Sequence, residues 1–388
     1  MTEMVYGSMP SRVTEPVLPR WWRTIDKWSM TCIFMLFGIG LLLGLAASVP
    51  LASRNGLEPF FYVQRQAFFG GLAIIAMIGV SMMTPVMVRR LGMLGFAFAF
   101  LALCLLPFFG TDFGKGAVRW FSLGFASVQP SEFLKPAFVI VIAWLMAASF
   151  DLNGPPGKTV SFVIALMVVG LLAMQPDFGQ AALVLFAWGV VYFVAGAPMT
   201  LIAIVVGMVV VGGFAAYEGS EHFARRIDGF LTPDVDPRTQ LGYATNAIQE
   251  GGFFGVGVGA GQVKWSLPDA HTDFIIAVAA EEYGLILVLV IIALYTTVVV
   301  RSLMRLTKER DPFIRLAGTG LACIFGVQAM INMGVAVRLL PAKGMTLPFV
   351  SYGGSSVIAA GITVGALLAM TRVRPQGTMG DIFGRGGR

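Results

Sequence analysis

Long apolar runs recur along the whole chain, and they constrain its fold more than any other feature. Residues 31–49 and 91–110, for example, contain no charged side chain. An α-helix needs about 20 apolar residues to cross the hydrocarbon core of a membrane. Only 12% of the residues are charged and 57% are hydrophobic, whereas about a quarter of the residues of a soluble protein are charged. The sequence therefore predicts an all-α, polytopic membrane protein.

About ten segments are apolar and long enough to be spans. They are residues 29–50, 67–85, 91–110, 133–150, 160–175, 180–197, 200–216, 274–300, 314–338 and 347–371. A polar tail, residues 1–28, precedes the first span, and a C-terminal tail, residues 372–388, follows the last. The Gly- and Arg-rich part of this second tail, after Arg374, is predicted to be disordered. We recognise no separate soluble domain, so the transmembrane domain, residues 29–371, is expected to carry the chemistry.

The basic residues of the short connections predict the orientation of these spans. Most of them fall on the cytoplasmic side when the N-terminus is placed there, as the positive-inside rule requires. Both termini are then cytoplasmic, and the one long polar loop, residues 217–272, is extracytoplasmic. Phe223, Ile227 and Phe230 recur in this loop at helical spacing. Part of the loop is therefore predicted to be an amphipathic helix on the membrane surface.

Composition also limits the classes of site. Cys32, Cys104 and Cys323 lie inside apolar runs, and their spacing fits neither a disulfide framework nor a metal site. We interpret them as small buried hydrophobic residues. The net charge of +6 suits an anionic membrane surface or an anionic substrate, whereas no segment resembles a nucleic-acid-binding patch. We therefore predict no protein metal site and no nucleic-acid partner.

Ionisable residues at a membrane edge are costly, which makes them candidates for function. Arg119 and Trp120 follow the third span, where a guanidinium group could bind phosphate and an indole ring a sugar face. The alternative is an aromatic membrane anchor with a neighbouring arginine. Ser131 is the predicted N-cap of the fourth span. Glu132 and Lys135 lie one helical turn apart, and the spacing favours a structural ion pair.

Two further polar positions lie on the same predicted side. Asp177 follows Pro176 between the fifth and sixth spans. It either caps the sixth helix, which we favour, or lines a substrate cavity at a broken helix. Arg225 and Arg226 adjoin in the long loop. A diphosphate could bind there, although paired arginines on a solvated surface more often contact water or lipid.

The segment LPDAHTDFI, residues 267–275, closes the long loop and opens the eighth span. Thr272 or Asp273 could be the N-cap of that span. Alternatively Asp273, with His271 nearby, is a general base at the membrane surface. The residues alone favour the cap slightly.

Two acidic residues, Glu281 and Glu282, follow inside the eighth span and need partners there. Arg338 and Lys343 are possible partners. The glycine–serine segment before the last span, which contains Ser351 and Tyr352, either allows close helix packing or exposes backbone to a ligand. Close packing is the safer interpretation.

Six segments together resemble the SEDS proteins (shape, elongation, division, sporulation), which are integral-membrane peptidoglycan glycosyltransferases. They are KGAVRW at 115–120, QPSEFLK at 129–135, QPDFG at 175–179, LPDAHTDFI at 267–275, AEEYG at 280–284 and KGMTLPFVSYGGSS at 343–356. They occur in the family's order, and two of them are more similar to its cell-division branch than to its elongation branch. Residues 241–248 depart from the family pattern, so nothing is carried over to them.

The resemblance implies ten transmembrane helices and a substrate, lipid II, in the outer leaflet. It places the family's essential acid on Asp273 and the tryptophan of its first large outer loop on Trp120. Asp273 would deprotonate the 4-hydroxyl group of the acceptor GlcNAc, which attacks the anomeric carbon of the donor MurNAc in one inverting displacement. The candidate diphosphate-binding residues are Arg119, Lys135, Arg225 and Arg226. A divalent cation, Mg²⁺ or Mn²⁺, could assist as Lewis acid.

The remaining predicted substrate-binding residues surround these motifs. They are Glu132, Asp177, His271, Thr272, Lys343, Ser351 and Tyr352. The resemblance also implies a division transpeptidase, a class B penicillin-binding protein, as partner, together with other membrane proteins of the division machinery. The expected location is the cytoplasmic (inner) membrane at the division septum. A lipid II flippase, an elongation-type polymerase and a non-catalytic scaffold for division proteins remain as alternatives.

Overall fold

The fold is described from a computed structural model. It covers residues 16–111, 118–122, 124, 126–151, 153–219, 221–231, 239–267, 269–341 and 344–374. Its helices are α1 (Val17–Thr24), α2 (Lys27–Arg54), α3 (Phe61–Met82), α4 (Pro85–Phe109), α5 (Pro130–Ala148), α6 (Gly157–Met174), α7 (Phe178–Val194), α8 (Met199–Gly219), α9 (Glu221–Leu231), α10 (Gln240–Gly251), α11 (Ile275–Leu306), α12 (Pro312–Ala336) and α13 (Gly354–Thr371). A 3₁₀ turn (Val263–Trp265) and a two-stranded antiparallel hairpin, β1 (Phe121–Ser122) with β2 (Ser127–Val128), complete the elements.

Within the described residues, nine helices are long and apolar enough to cross a membrane, and α7 is a shorter apolar helix of 17 residues. All ten predicted spans therefore correspond to helices, and the prediction of an all-α polytopic protein is confirmed. The predicted helix in the long loop is present as α9, whereas α10 was not predicted. The predicted disorder after residue 374 concerns residues outside the described ranges.

The spanning helices alternate in direction along the chain. At one end of the bundle, which we call the Asp273 end, α2, α4, α6 and α12 finish while α3, α5, α7, α11 and α13 begin. Burial is uneven: in α13, 83% of the most apolar 18-residue window is buried, against 6% in α8. The core is therefore built around α13 and its neighbours, and α8 lies at the periphery.

Glycines in α13 explain how closely it approaches α3. A Cβ atom on Gly361 would overlap the carbonyl oxygen of Ala73, and one on Gly365 would lie 2.6 Å from the carbonyl oxygen of Met77. Small residues at such positions let two helix backbones pack directly against each other, which is a common mode of helix association in membranes. Both glycines are thus required by packing.

Substitution of Gly361 by Ala is expected to lower the melting temperature of the detergent-solubilised protein. The added methyl group must displace the α3 backbone, and overpacking of this kind costs about 1–3 kcal/mol. Gly79 of α3 is the matched control, because nothing lies within 4 Å of a Cβ atom built there. Equal melting temperatures for Gly361→Ala and Gly79→Ala would contradict this account of the α3–α13 contact.

The long loop is fastened to a break in α11. Gly284 has φ 73° and ψ −173° inside this helix, a conformation that glycine tolerates best. The N–H of Leu285 donates to the carbonyl of Gly252 at 3.0 Å, and the N–H of Val256 donates to the carbonyl of Glu281 at 2.8 Å. The loop thus satisfies backbone groups that the break releases, as irregular backbone within a membrane requires.

The two buried acids of α11 complete this attachment. Glu281 accepts hydrogen bonds from the backbone N–H groups of Val263 at 2.7 Å and Lys264 at 3.2 Å. The Lys264 ammonium group forms an ion pair with Glu282, and the Lys264 side chain is 5% exposed and that of Glu282 0%. The proposal of Arg338 as their partner is therefore wrong, because the loop folds back onto α11 and supplies these groups itself. Lys343 lies outside the described residues.

Candidate active site

The turn before α11 is held by one backbone carbonyl group. The carbonyl oxygen of Asp269 accepts hydrogen bonds at 3.1 Å from the backbone N–H groups of Thr272 and Asp273 and from the Thr272 hydroxyl group. Asp269 has a φ of 54°, a left-handed conformation that Asp adopts more readily than most residues. Helix α11 begins only at Ile275, after Phe274. The prediction of an N-cap at Thr272 or Asp273 is therefore wrong, because the turn occupies those positions.

The main chain of Asp273 is fixed by a neighbouring side chain, and the residue is half-buried. The Asn332 side-chain amide donates to the carbonyl oxygens of Asp273 at 3.0 Å and Met345 at 2.6 Å. A Cβ atom on Gly344 would lie 3.4 Å from Asp273 Oδ2, so the absence of a side chain leaves room beside the carboxylate. Asp273 is half-buried. A half-buried acid on a positioned main chain has the geometry that a general base requires.

Hydrogen bonds connect this turn to the loop before α13. The Ser351 hydroxyl group donates to the carbonyl oxygen of Thr272 and accepts from the N–H of Leu347 at 2.9 Å. The N–H of Tyr352 donates to the carbonyl oxygen of His271 at 2.9 Å. His271, Thr272, Ser351 and Tyr352, which are separated in sequence, thus lie together in one cluster.

Three aromatic rings adjoin this cluster. The rings of Tyr62, His271 and Tyr352 lie 5.4–5.7 Å apart, centroid to centroid. Burial raises the pKa of Tyr352, and the nearby Arg65 guanidinium lowers it by a smaller amount. Tyr62 and Arg65 were missed by the sequence reasoning. The available signal was Arg65 itself, an ionisable residue near the start of an apolar helix.

A cavity of about 200 Å³ opens between this cluster and the hairpin. It is lined by Arg65, Phe69, Ser122, Gly124, Ala126, Ser127, Tyr352 and Gly354. A second cavity, behind the Asp269 turn, has only about 40 Å³. Only the first of the two is large enough for a sugar or a diphosphate group, and it combines one cation with several hydroxyl groups.

Arg119 is held by backbone oxygen atoms. Its guanidinium group donates to the carbonyl oxygens of Gln175, at 3.1 Å, and Pro176. These contacts tie the loop before β1 to the break between α6 and α7. Trp120 is half-buried and pairs with Thr111 through a backbone hydrogen bond of 2.9 Å. The proposed roles of Arg119 and Trp120 in binding substrate stay predictions.

Asp177 lies next to this break and is 8% exposed. It occupies the N-cap position of α7, as favoured from the sequence, but its side chain makes no capping hydrogen bond. Instead its carboxylate accepts a hydrogen bond of 3.3 Å from the amide of Gln129. Burial raises the pKa of Asp177, and the charge of Arg119 offsets part of this rise.

Substitution of Asp177 by Asn is expected to raise the melting temperature at about pH 8, with the gain shrinking toward zero near pH 4. A buried acid with a raised pKa favours its protonated form in the fold. The contribution of the protonated Asp177 to the free energy of unfolding is fully present below the unfolded-state pKa, about 3.9. It is lost as the pH rises through the folded-state pKa. Thermal unfolding at several pH values tests this. A pH-independent difference between variant and wild type would contradict it.

Glu132 and Lys135 form a buried ion pair, as favoured from the sequence. Lys135 Nζ lies 2.8 Å from Glu132 Oε2 and donates at 2.8 Å to the Gln328 side-chain oxygen. Gln180 donates to Glu132 Oε1 at 2.6 Å. Gln328 in turn donates to the carbonyl oxygen of Thr346 at 3.0 Å. This network connects α5, α7 and α12 to the loop that faces Asp273.

One predicted detail of α5 is wrong. The helix begins at Pro130 with Gln129 as N-cap, so Ser131 lies inside its first turn. The Ser131 hydroxyl group has no hydrogen-bond partner among the described residues. The helix starts two residues earlier than predicted, at Pro130, because the fixed φ of proline suits the first helical position.

Some predicted residues cannot be placed. The backbone of Arg225 and Arg226 lies in α9, but their side chains are outside the description, as is all of Lys343. In the part of the chain that the structure describes, no group of three or more His, Cys, Asp and Glu residues could hold a metal ion. The assistance of a divalent cation stays a prediction.

Comparison with known proteins agrees with this arrangement. The family model FTSW_RODA_SPOVE, described as a cell cycle protein, matches residues 27–376. The chain is 40% identical over 379 residues to the probable peptidoglycan glycosyltransferase FtsW of Caulobacter vibrioides (strain NA1000 / CB15N), with 97% of each chain covered. It is 37% identical over 364 residues to the protein of that name from Alkalilimnicola ehrlichii (strain ATCC BAA-1101 / DSM 17681 / MLHE-1), with 89% of each covered.

Solved structures show the same fold. A chain in "Structural coordination of polymerization and crosslinking by a peptidoglycan synthase complex" is 27% identical, with a TM-score of 0.72 over 89% of this chain and 97% of that one. The rod shape determining protein RodA of Thermus thermophilus is 26% identical, with a TM-score of 0.65 over 90% and 97%. The resemblance seen in the six sequence segments is thus confirmed. The chain belongs to the FtsW/RodA/SpoVE family of cell cycle proteins.

Proposed function

We propose that this protein is a peptidoglycan glycosyltransferase that polymerises lipid II into glycan strands during cell division. The observation that carries the proposal is the half-buried Asp273 on an anchored main chain, beside the side-chain-free Gly344. Membership of the family supports the reaction class, and the FtsW relatives support a role in division. The positive-inside orientation puts the Asp273 end at the outer face of the cytoplasmic membrane, where lipid-linked precursors would be consumed.

In the proposed reaction Asp273 takes the proton of the 4-hydroxyl group of the acceptor GlcNAc. The hydroxyl oxygen attacks the anomeric carbon of the donor MurNAc, and the bond from that carbon to the undecaprenyl diphosphate oxygen breaks with inversion. Asp273 needs its fixed backbone because general-base catalysis depends on a defined distance to the proton. The diphosphate leaves with the bonding electron pair.

The cavity beside Tyr352 suits the polar part of this substrate. Arg65 in its wall supplies a cation that can bind the diphosphate, because a guanidinium group matches phosphate geometry. Arg119 is less available for this role, since its donors already contact two carbonyl groups. His271, Thr272 and Ser351 would keep the turn that carries Asp273 in place. Lys135 and Glu132 would support the same loop from below through Gln328.

Polymerisation of labelled lipid II by the purified protein tests this function. The wild-type protein should form glycan chains, and the Asp273→Asn variant should form far fewer. A class B penicillin-binding protein, the proposed partner, is added in a parallel reaction. The solved synthase complex to which the chain is similar supports such a partner. Movement of labelled lipid II across liposomes without lengthening would instead identify a flippase. Localisation of a fluorescent fusion to the septum would separate division from elongation.

A further inference from the structure

A further cavity, lined by basic and apolar side chains, lies at the end of the bundle opposite Asp273. It has a volume of about 250 Å³ and lies where α11 and α13 end. Four basic side chains, Arg305, Lys308, Arg372 and Arg374, line it together with one acid, Glu309. The proposed glycosyltransferase reaction uses none of these residues, and none was singled out as a site from the sequence.

One acid supports one side of this cavity. Asp26 is 1% exposed, and its carboxylate lies 3.0 Å from an Arg305 nitrogen and 2.8 Å from an Arg301 nitrogen. The Ser29 hydroxyl group also donates to it, at 2.8 Å. A single carboxylate is thus shared by two guanidinium groups, which leaves positive charge in excess.

The described hydrogen bonds of the other two arginines go to neutral groups. Arg372 donates to the Thr24 hydroxyl group at 3.0 Å and to the carbonyl oxygen of Met82 at 3.2 Å. One Arg374 nitrogen donates to the carbonyl oxygen of Ala369. The other, Nη1, is buried and has no hydrogen-bond partner among the described residues. Burial lowers the pKa of both arginines, and that of Arg372 is lowered further by Arg374.

The acids near the wall offset only part of the charge of this cluster, since Glu309 and Asp311 both act to raise the pKa of Arg374 against the effect of burial. Glu309 Oε1 accepts hydrogen bonds from the backbone N–H groups of Arg310 at 2.9 Å and Asp311 at 3.2 Å, so it serves the turn before α12. Four basic side chains against one acid in the wall leave the cavity with an excess of positive charge, and within the described ranges Arg374 Nη1 meets no acceptor. A bound anion would supply what the fold lacks.

The surroundings indicate the kind of anion. Met370 and Val373 also line the cavity, and Val373 is 63% exposed. A cationic cavity with apolar walls, at the ends of membrane-spanning helices, matches a phospholipid, which combines a phosphate group with acyl chains. The positive-inside orientation places it at the cytoplasmic leaflet, which is rich in anionic lipid.

We propose that this cavity binds the phosphate group of an anionic phospholipid of the cytoplasmic leaflet, with Arg374 and Lys308 as its principal ligands. The lipid would bridge the ends of α11 and α13. It would thereby stabilise the end of the bundle where Arg372 already connects α13 to α3. The proposal does not depend on the glycosyltransferase function.

Thermal unfolding of the delipidated, full-length protein in detergent tests the proposal. Phosphatidylglycerol is expected to raise the melting temperature, whereas phosphatidylcholine or inorganic phosphate at the same concentration should not. Lys308→Gln and Arg374→Gln are each expected to weaken the apparent affinity for phosphatidylglycerol about fivefold, as the loss of one basic group near a membrane predicts. Arg90→Gln is the matched control, because Arg90 is exposed at the same end and does not line the cavity.

The outcomes separate cleanly. Wild-type affinity in both cavity variants, or an equal loss in Arg90→Gln, overturns the site. Saturating stabilisation by inorganic phosphate shows a free-anion site and overturns the lipid as ligand. If Arg374→Gln does not fold, Lys308→Gln decides alone, since the Lys308 side chain is exposed and its removal leaves the packing unchanged.

Discussion

Replacement of Asp273 by Asn is expected to reduce the rate of lipid II polymerisation by about 10²- to 10⁴-fold, the usual contribution of a general base. Asn has nearly the same shape as Asp but cannot accept the proton of the acceptor hydroxyl group. The described hydrogen bonds of residue 273 to Asp269 and Asn332 use main-chain atoms, which the substitution leaves unchanged. Gel analysis of glycan products measures the rate, and the melting temperature verifies folding.

Asp269→Asn is the matched control for this experiment. Asp269 lies in the same turn, and Asn tolerates its left-handed conformation equally well. This variant should keep most of the activity, because Asn has nearly the same shape as Asp and leaves the main-chain carbonyl group that holds the turn unchanged. Wild-type polymerisation by Asp273→Asn would remove Asp273 as the base. Equal losses in the two variants would show that the turn, and not the Asp273 carboxylate, is what activity requires.

Replacement of Lys264 by Met is expected to cause the largest loss of stability. The change leaves the Glu282 carboxylate buried without its cation, and breaking a buried ion pair in this way costs about 3–5 kcal/mol. The melting temperature and the yield of monodisperse protein in detergent should both fall sharply. Polymerisation should fall as well, because Lys264 fastens the loop that leads into the Asp269 turn.

The double variant Lys264→Met, Glu282→Gln provides the control. Removal of both charges avoids an unpaired buried carboxylate, so the double variant should recover most of the lost stability. Glu281 still holds the backbone of Val263 and Lys264 in this protein. A double variant as unstable as Lys264→Met would show that the Lys264 side chain acts through packing and not through its charge.

The two acids Glu281 and Glu282 show how far the sequence alone could predict the structure. The cost of charges inside an apolar run correctly singled out both acids as residues that need partners. Their partner could not be found in the same way. Val263 and Lys264 approach α11 only because Gly284 interrupts the helix and the glycine-rich loop after α10 pairs with the exposed backbone.

The helix starts were affected by similarly local competition. At Ser131 a capping side chain was predicted, but the helix begins at Pro130 and its N-cap is Gln129, two residues earlier. At Asp273 the carbonyl of Asp269 captured the N–H groups that a helix start would have left free. In both places a local feature, a proline at the helix start or a hydrogen-bonded turn, replaced the expected cap. Patterns of residue type do not distinguish such alternatives.

The number of apolar segments and their helical structure could be predicted from the sequence, because burial in lipid depends on the composition of each segment alone. The Glu132–Lys135 pair was equally legible, since helical spacing brings the two residues together. Three features of the site could not be predicted in this way. They are the hydrogen bond between Tyr352 and His271, the cavity lined by Arg65, and the approach of Gly344 to the Asp273 carboxylate. They depend on α3, α11, α12 and α13 meeting at one end of the bundle, and only long-range packing brings those residues into contact.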